Sequence, residues 1–267
     1  MGYDAVLAET IGTQGATGDE IEAYSARPLD GSARGGVVVI HHMPGYDRES
    51  KETVRRFATE GYNAVCPNLY HREAPGAAPD DAAATARANG GVPDDRLVGD
   101  VGGAAAWLRR LPTSNGKVGT IGFCSGGRQA VLTALSLDIQ GAVDCYGAFV
   151  VGEPPEGFPL RIRPFGDRIG ELRAPLLGMF GNDDKPPSPA DVDDQETTYR
   201  RIVANKQVDA VYISSPLPAD RRIALLHALG IPFIVHGRSD GHAFDYSYID
   251  IDNEGAFREA TRLLLQL

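Results

Sequence analysis

The sequence predicts an α/β protein whose core is a doubly wound, mainly parallel β-sheet. Three observations lead to this class. Short apolar runs recur along the chain, segments with helical spacing alternate with them, and polar side chains directly follow several of the runs. Strands that alternate with helices indicate βαβ units with right-handed crossovers. Ligand sites in such sheets lie at the carboxyl ends of the strands.

The apolar runs define the predicted strands in chain order. Residues 21–26 alternate like an edge strand, and Gly36–Ile40 is a continuous apolar run, which is typical of a strand buried on both faces. Further strands are predicted at 62–66, 118–121, 141–146 and 174–180. Apolar stripes with helical spacing predict helices at 49–59, 94–110 and 129–137. Residues 77–91 fit either a weak helix or a mobile segment, and 150–174 read as an irregular excursion.

Length and composition limit the class of protein. A chain of 267 residues with 42% hydrophobic content forms one large domain or two small ones, and we expect a single α/β domain over 1–267. The net charge of −10 without a basic block argues against nucleic acid and against a membrane surface as partners. Neither a membrane-spanning run nor a signal peptide is expected. Three cysteines without CxxC spacing favour a reducing, cytoplasmic location and no zinc site.

The stretch Lys117–Gly127 carries the strongest functional signal. An apolar run ends at Gly122, Cys124 follows between glycines, and an Ala- and Leu-rich helical segment comes next. Strand, sharp turn and helix form the nucleophile elbow of α/β hydrolases, G-x-S-x-G, with Cys in the place of Ser. A cysteine at a helix N-terminus is favoured as a thiolate. We therefore predict Cys124 as a nucleophile; the alternative is a buried structural cysteine.

A cysteine nucleophile needs a base and a carboxylate that orients it, in the chain order nucleophile, carboxylate, histidine. Asp184 is the predicted carboxylate, ahead of Asp183, because it comes third after the turn glycine. The predicted base is His242, which lies in a loop after an apolar strand. His236, at the end of that strand, is the alternative, and His227 is read as an ordinary helix residue.

An oxyanion hole completes the predicted site. It needs two backbone N–H groups aimed at the developing negative charge. One is expected from Ser125, the residue after the nucleophile. The other is expected from Met43, in the loop that follows the Gly36–Ile40 strand.

Several short sequence motifs resemble those of the dienelactone hydrolase (carboxymethylenebutenolidase) family. They are His41–Gly45, Cys66–Arg72, Gly122–Gly127, Gly181–Asp184 and Gly241–Phe244. The resemblance covers about residues 1–196 and also the short motif around His242. It implies a single-domain α/β hydrolase that opens lactones or esters through a thioester, without metal or cofactor. It also implies that Cys124, Asp184 and His242 form a triad.

The same resemblance suggests two substrate-binding residues. Arg72 matches the family's arginine for a substrate carboxylate. His42 stands near the position of a glutamate that contacts the resting thiol in the type enzyme, and an imidazole does not supply the same charge. A second substrate arginine expected shortly after the catalytic histidine is replaced by Asp245 and Tyr246, which weakens recognition of an anionic lactone.

The C-terminal part, about 197–267, resembles a different family. Val208–Ser215, Gly230–Arg238 and Asp250–Phe257 are similar to words of the ligand-sensing domain of lac-repressor-type regulators, which has a periplasmic-binding-protein-like fold. We therefore expect an engineered chimera, with a crossover near 195–199 and extra C-terminal βα units. Its strands at 208–213 and 231–235 are expected to extend the hydrolase sheet, and a helix is expected at 254–267.

These observations together predict a Cys-dependent hydrolase of lactones or small esters, with a small-molecule partner and an activity that the foreign C-terminal part impairs. The alternative is an engineered chimeric scaffold without catalytic activity. A small-ligand sensor is least favoured, because the sequence contains only part of one sensing lobe.

Overall fold

A computed structural model describes residues 5–179, 210–214, 216 and 219–249. The predicted carboxylates Asp183 and Asp184 and the predicted helix at 254–267 lie outside these residues. Within them, none of the helices has the length and apolar character needed to span a membrane.

In the part of the chain that the structure describes, seven strands form the main sheet. They are Val6–Gln14 (β1), Glu20–Pro28 (β2), Arg34–Ile40 (β3), Asn63–Pro67 (β4), Ser114–Phe123 (β5), Gly141–Cys145 (β6) and Leu176–Met179 (β7). Their order is β1-β2-β4-β3-β5-β6-β7. The pairs β1–β2 and β2–β4 are antiparallel, and the other pairs are parallel. The predicted fold class, a doubly wound and mainly parallel sheet, is therefore confirmed.

Helices cover both faces of this sheet. They are Arg48–Thr59 (α1), Pro79–Ala88 (α2), Asp94–Arg109 (α3) and Ser125–Ser136 (α4). Successive side chains of β3 point to opposite faces. Val38 and Ile40 accordingly pack into the cluster that contains Leu97 and Leu108 of α3, whereas Val39 packs with Val54 of α1. Residues 79–88, left open between helix and mobile segment, form a helix that packs its alanines against the core.

The last described strands form a separate sheet. Val211–Ser214 (β8), Phe233–His236 (β9) and Ser247–Ile249 (β10) pair in parallel in the order β10-β9-β8, and Arg221–Ala228 is helix α5. The expectation that these strands extend the hydrolase sheet is wrong for the described residues. The physical reason is that this unit buries its own apolar cluster, which joins β8 and β9 to Ile223 and Leu226 of α5.

Candidate active site

Cys124 occupies the turn between β5 and α4, as predicted. Its backbone has φ 54° and ψ −121°, a left-handed conformation that is costly for any residue other than glycine. The turn is held by two hydrogen bonds of 2.9 Å, from the Cys124 N–H to the Cys145 carbonyl and from the Gly127 N–H to the Cys124 carbonyl. The thiol is exposed, whereas Cys66 and Cys145 are buried. The strained turn therefore presents one accessible thiol at the N-terminus of a helix.

The glycines around Cys124 allow backbone to meet backbone. A Cβ atom at Gly122 would lie 1.9 Å from the Gly126 carbonyl oxygen, and one at Gly126 would lie 2.3 Å from the Ile40 carbonyl oxygen. Side chains at these positions would push the first turn of α4 away from β3 and β5. The loop after β3 therefore lies directly against the elbow.

The two predicted oxyanion donors lie on the segments that meet here. Ser125 is the first residue of α4, and a first helical N–H has no partner within its own helix. Met43 follows β3, and its carbonyl accepts a 3.1 Å hydrogen bond from the Tyr70 hydroxyl. Across the described ranges, the Ser125 and Met43 N–H groups make no hydrogen bond. Both donors are thus available to a ligand, although their role as an oxyanion hole stays a prediction.

His42 lies in the same loop after β3 and is held by Asp47. The distance from His42 Nε2 to Asp47 Oδ2 is 2.6 Å. Asp47 also caps α1 by accepting a 2.8 Å hydrogen bond from the Ser50 N–H. Partial burial opposes ionisation of Asp47, but the hydrogen bonds from Ser50 and His42 hold its pKa below the ordinary value. The imidazole is therefore paired on one side with an ionised carboxylate.

A small cavity opens beside this pair, next to the elbow. Its volume is about 190 Å³, and its lining residues are Val39, His42, Glu49, Ser50, Thr53, Phe123 and Tyr146. Ligand atoms of His42, Asp47 and Glu49 lie within 4.8 Å of one another, the spacing of a metal-binding group. However, an ion bound between an imidazole nitrogen and a carboxylate oxygen needs about 3 Å between them. The direct 2.6 Å contact therefore favours a hydrogen-bonded pair over a metal site.

The predicted base, His242, lies in the unit formed by β8–β10. Its Nε2 is 3.0 Å from the Ser239 hydroxyl, and its ring lies 5.4 Å from the Phe244 ring and 5.6 Å from the Tyr246 ring. No hydrogen bond joins this imidazole to the Cys124 thiol, both of which the structure describes. The triad of Cys124, Asp184 and His242 therefore stays a prediction.

The other two downstream histidines are placed by the same unit. His236 ends β9, at the position expected for the alternative base. His227 belongs to α5 and stacks on Phe244 with 3.7 Å between ring centroids. His227 is thus a helix residue, as expected, and the structure adds an aromatic partner.

Arg72 forms a structural clamp. Its Nε and Nη2 atoms donate to both Asp19 oxygens at 2.8 Å, and its Nη1 and Nη2 atoms donate to Asp100 at 2.8 and 3.0 Å. Four of the five N–H groups of the guanidinium are thus occupied. Arg72 holds the pKa of Asp19 well below its usual range, and Asp100 is fully buried. This geometry disfavours the predicted contact with a substrate carboxylate and supports a link from the β1–β2 turn to α3.

An Arg72→Lys variant separates these two roles. Lysine keeps the charge but cannot donate bidentately to two carboxylates. We expect the free energy of unfolding to fall by about 2 kcal/mol, because buried Asp100 loses charged hydrogen bonds. The ratio of KM values for a monoanionic and a neutral p-nitrophenyl ester should stay unchanged. Urea unfolding and steady-state kinetics measure both quantities. A stable variant with a selective rise in KM for the anionic ester would restore the substrate-binding role.

Asp144 lies on β6 beneath the elbow, and sequence reasoning missed it. It is 2% exposed, and its Oδ1 accepts a 2.8 Å hydrogen bond from the Gly147 N–H. Burial raises the pKa of Asp144 to about 7, against the opposing effect of that hydrogen bond. The folded state therefore keeps a proton that the unfolded state releases near pH 4. Stability from this group is complete below pH 4 and is lost as pH rises through 7.

An Asp144→Asn variant should remove this pH dependence. Asparagine keeps an oxygen that accepts from Gly147 and cannot ionise. We expect the variant to gain melting temperature over the parent protein as pH rises from 5 to 8, measured by differential scanning calorimetry. Asp138→Asn, which makes the same charge change at an exposed position, should show no such trend. Equal trends in both variants would contradict the assignment.

Other residues of the site also went unrecognised in the sequence. A sequence signal for Asp47 was available, because an aspartate directly before a helix is a typical N-cap residue. Tyr146 has no such signal; its backbone has a positive φ of 49°, and its side chain is 44% exposed.

Comparison with known sequences gives a family match for the main sheet. A model of the dienelactone hydrolase family matches residues 21–212. The carboxymethylenebutenolidase of Pseudomonas putida is 31% identical over 191 residues, which are 69% of this chain and 75% of the relative. A protein of Escherichia coli (strain K12) assigned as a carboxymethylenebutenolidase is 33% identical over 189 residues, which are 68% of this chain and 66% of the relative.

A second match is of a different kind. The HTH-type transcriptional regulator AglR of Rhizobium meliloti (strain 1021) is 51% identical over 80 residues. These residues are 30% of this chain and 22% of the regulator, so this chain spans less than a quarter of that relative. The match therefore concerns a segment and not a whole regulator.

Solved structures share the fold over nearly the whole chain. A protein of Klebsiella pneumoniae subsp. pneumoniae MGH 78578 assigned as a dienelactone hydrolase has a TM-score of 0.66 and 25% identity, with 98% of each chain covered. A dienelactone hydrolase-like promiscuous phosphotriesterase, P91, from metagenomic libraries has a TM-score of 0.58 and 19% identity, with 97% and 96% covered. The second likeness concerns the fold alone.

Proposed function

Because the chain belongs to the dienelactone hydrolase family, we propose that it is a Cys-dependent hydrolase of lactones or small esters. The observation that carries the proposal is the elbow. An exposed thiol stands at a strained turn, and the N–H groups of Ser125 and Met43, which have no hydrogen-bond partner among the described residues, lie on the two segments that meet there. Small-molecule substrates suit such a site, and the acidic chain suits neither nucleic acid nor membrane partners. Three free cysteines support a reducing, cytoplasmic location.

The proposed reaction has two steps. The Cys124 thiol gives its proton to His242, which Asp184 orients, and the thiolate attacks the acyl carbon. The bond from this carbon to the ester oxygen then breaks, His242 gives the proton to the departing alkoxide, and a thioester remains. The N–H groups of Ser125 and Met43 hold the oxyanion. The neutral His242 ring then takes a proton from water, and the resulting hydroxide attacks the thioester carbon. The carbon–sulfur bond breaks, the acid is released, and the Cys124 thiolate takes the proton back from His242. This sequence requires the His242 ring to leave the Ser239 hydroxyl, 3.0 Å away, and to reach the thiol.

A second candidate is a recombined α/β scaffold that does not turn over. Two observations favour it: the segment that matches a regulator, and the separate sheet of β8–β10 with its own apolar cluster. We propose that the chain is a chimera in either case, with a hydrolase-like part and a regulator-like C-terminal part. The two candidates differ in whether His242 serves Cys124.

A His242→Ala variant tests this difference with p-nitrophenyl acetate. If the hydrolase function is correct, the parent protein turns over many times and the variant loses about a thousandfold in kcat. A single burst of p-nitrophenol equal to the protein concentration, with the same slow rate in both proteins, would instead indicate thiol acylation by a scaffold. His227→Ala is the control, since that ring belongs to α5 and stacks on Phe244.

A further inference from the structure

We propose that the cavity beside Cys124 selects esters that carry a cationic group, which names a substrate class for the site and rests on the proposed hydrolase function. The starting point is Arg72. The arginine that the family resemblance assigns to a substrate carboxylate is engaged with Asp19 and Asp100 through four N–H groups. Where the resemblance predicts a second substrate arginine, the sequence has Asp245 and Tyr246. Among the described residues, the two positions that the resemblance predicts to bind an anion therefore offer it no free cation.

Two of the residues that line the cavity are next to the Cys124 turn. Phe123 directly precedes Cys124, and Tyr146 follows the residue whose carbonyl accepts the Cys124 N–H. Both rings line the cavity, and their centroids are 6.4 Å apart. Its volume of about 190 Å³ accommodates a small substituent such as a trimethylammonium group.

The charges around the cavity favour a cation. Glu49 lines it, and across the described ranges no cationic side chain pairs with this carboxylate. His42 lines it as well, but its pairing with Asp47 adds no net positive charge. Arg48 and Lys51 flank Glu49 in the sequence; neither lines the cavity, and the Lys51 ammonium lies 4.0 Å from the centroid of the Tyr46 ring.

The aromatic side chains that line the cavity also favour a cation, as the Glu49 carboxylate does. The faces of phenylalanine and tyrosine rings attract cations through the ring quadrupole. A carboxylate beside two aromatic rings thus offers a cation two independent sources of attraction. An anionic group would meet repulsion from Glu49, and the described part of the cavity wall contains no lysine or arginine to compensate.

The first test measures the field at Cys124 without requiring turnover. Methanethiosulfonate reagents form a disulfide with a thiolate and release methanesulfinate. Because reagents of opposite charge react by this same step, their relative rates report the effect of charge. Rates are compared for the 2-(trimethylammonium)ethyl and 2-sulfonatoethyl reagents, each normalised to free 2-mercaptoethanol. Because Cys66 and Cys145 are buried, the fast phase reports Cys124. We expect a normalised preference of about tenfold for the cationic reagent at low salt.

Matched variants separate the cavity from the overall acidity of the chain. Glu49→Gln should lower the preference about fivefold. Glu60→Gln makes the same charge change at the other end of α1, about 16 Å away, and should lower it by less than a factor of two. A normalised preference near one in the parent protein, or equal effects of the two substitutions, would overturn the proposal.

The second test joins the cavity to hydrolysis. The p-nitrophenyl esters of 4-(trimethylammonio)butyrate and of its neutral isostere, 5,5-dimethylhexanoate, are compared with the monoester of glutarate. We expect kcat/KM to fall about tenfold from the cationic to the neutral ester and further for the anionic one, and Glu49→Gln to affect the cationic ester selectively. If no ester turns over while the thiol still prefers the cationic reagent, the hydrolase function fails and the charge selection of the site stands. If all three esters turn over at equal rates, the hydrolase function stands and the charge selection fails.

Discussion

A Cys124→Ala variant is expected to lose at least about a thousandfold in kcat/KM for p-nitrophenyl acetate. The thiol is the proposed nucleophile, and alanine leaves the oxyanion donors in place without a group that can form the thioester. The backbone of this residue is already held at φ 54° by its neighbours, so alanine should fit the turn as cysteine does. Initial rates of p-nitrophenol release measure the loss, and circular dichroism checks that the fold is kept.

The control for this prediction uses a buried thiol on the neighbouring strand. Cys145 is 3% exposed and ends β6, and Cys145→Ala should keep kcat/KM within about threefold. Titration with iodoacetamide should find one fast-reacting thiol in the native parent protein and none in Cys124→Ala. Retention of more than a tenth of the parent activity by Cys124→Ala would refute the proposed nucleophile.

Gly122→Ala is expected to destabilise the protein by about 3 kcal/mol or more. The added methyl group would lie 1.9 Å from the Gly126 carbonyl oxygen and 2.8 Å from the Gly127 nitrogen. Both are backbone atoms, so no side chain can rotate away, and the turn between β5 and α4 must shift. In a chain of this size, the loss corresponds to a fall in melting temperature of about 6–12 °C.

Gly141→Ala is the matched control in the same sheet. A Cβ atom at Gly141 meets nothing within 4 Å, and the position opens β6 beside β5. We expect a change in the free energy of unfolding within about 0.5 kcal/mol, measured by urea denaturation of both variants. Similar melting temperatures for the two glycine variants would show that the elbow tolerates side chains and that its glycines are not required by packing.

The main architecture could be predicted because its signals are local. Continuous apolar runs such as 36–40 belong to strands buried on both faces, and the structure places β3 between two other strands with side chains in two clusters. The elbow was predictable for the same reason, since strand, glycine, cysteine and helix are contiguous. Strand β1 was missed: Val6–Gln14 has little alternation and lies at the exposed edge, so its pairing with β2 leaves a weak pattern.

The separate sheet of β8–β10 was beyond local reasoning. The sequence predicted strands at 208–213 and 231–235 but wrongly joined them to the hydrolase sheet, and it did not predict β10. From the sequence alone, β8 could pair either with β7 of the main sheet or with β9 of its own unit. Pairing is decided by which apolar side chains can share one cluster, and Ile213, Ile223 and Val235 bury each other.

The sequence by itself determined the class of fold and the strand–turn–helix arrangement around Cys124. Only the tertiary structure decided how the charged side chains are used. Arg72 is matched to Asp19 and Asp100, which lie 53 and 28 residues away along the chain, and His42 is oriented by Asp47. The physical reason is that a charged side chain forms hydrogen bonds with the partners that lie within about 3 Å of it. The fold, and not the local sequence, decides which partners these are.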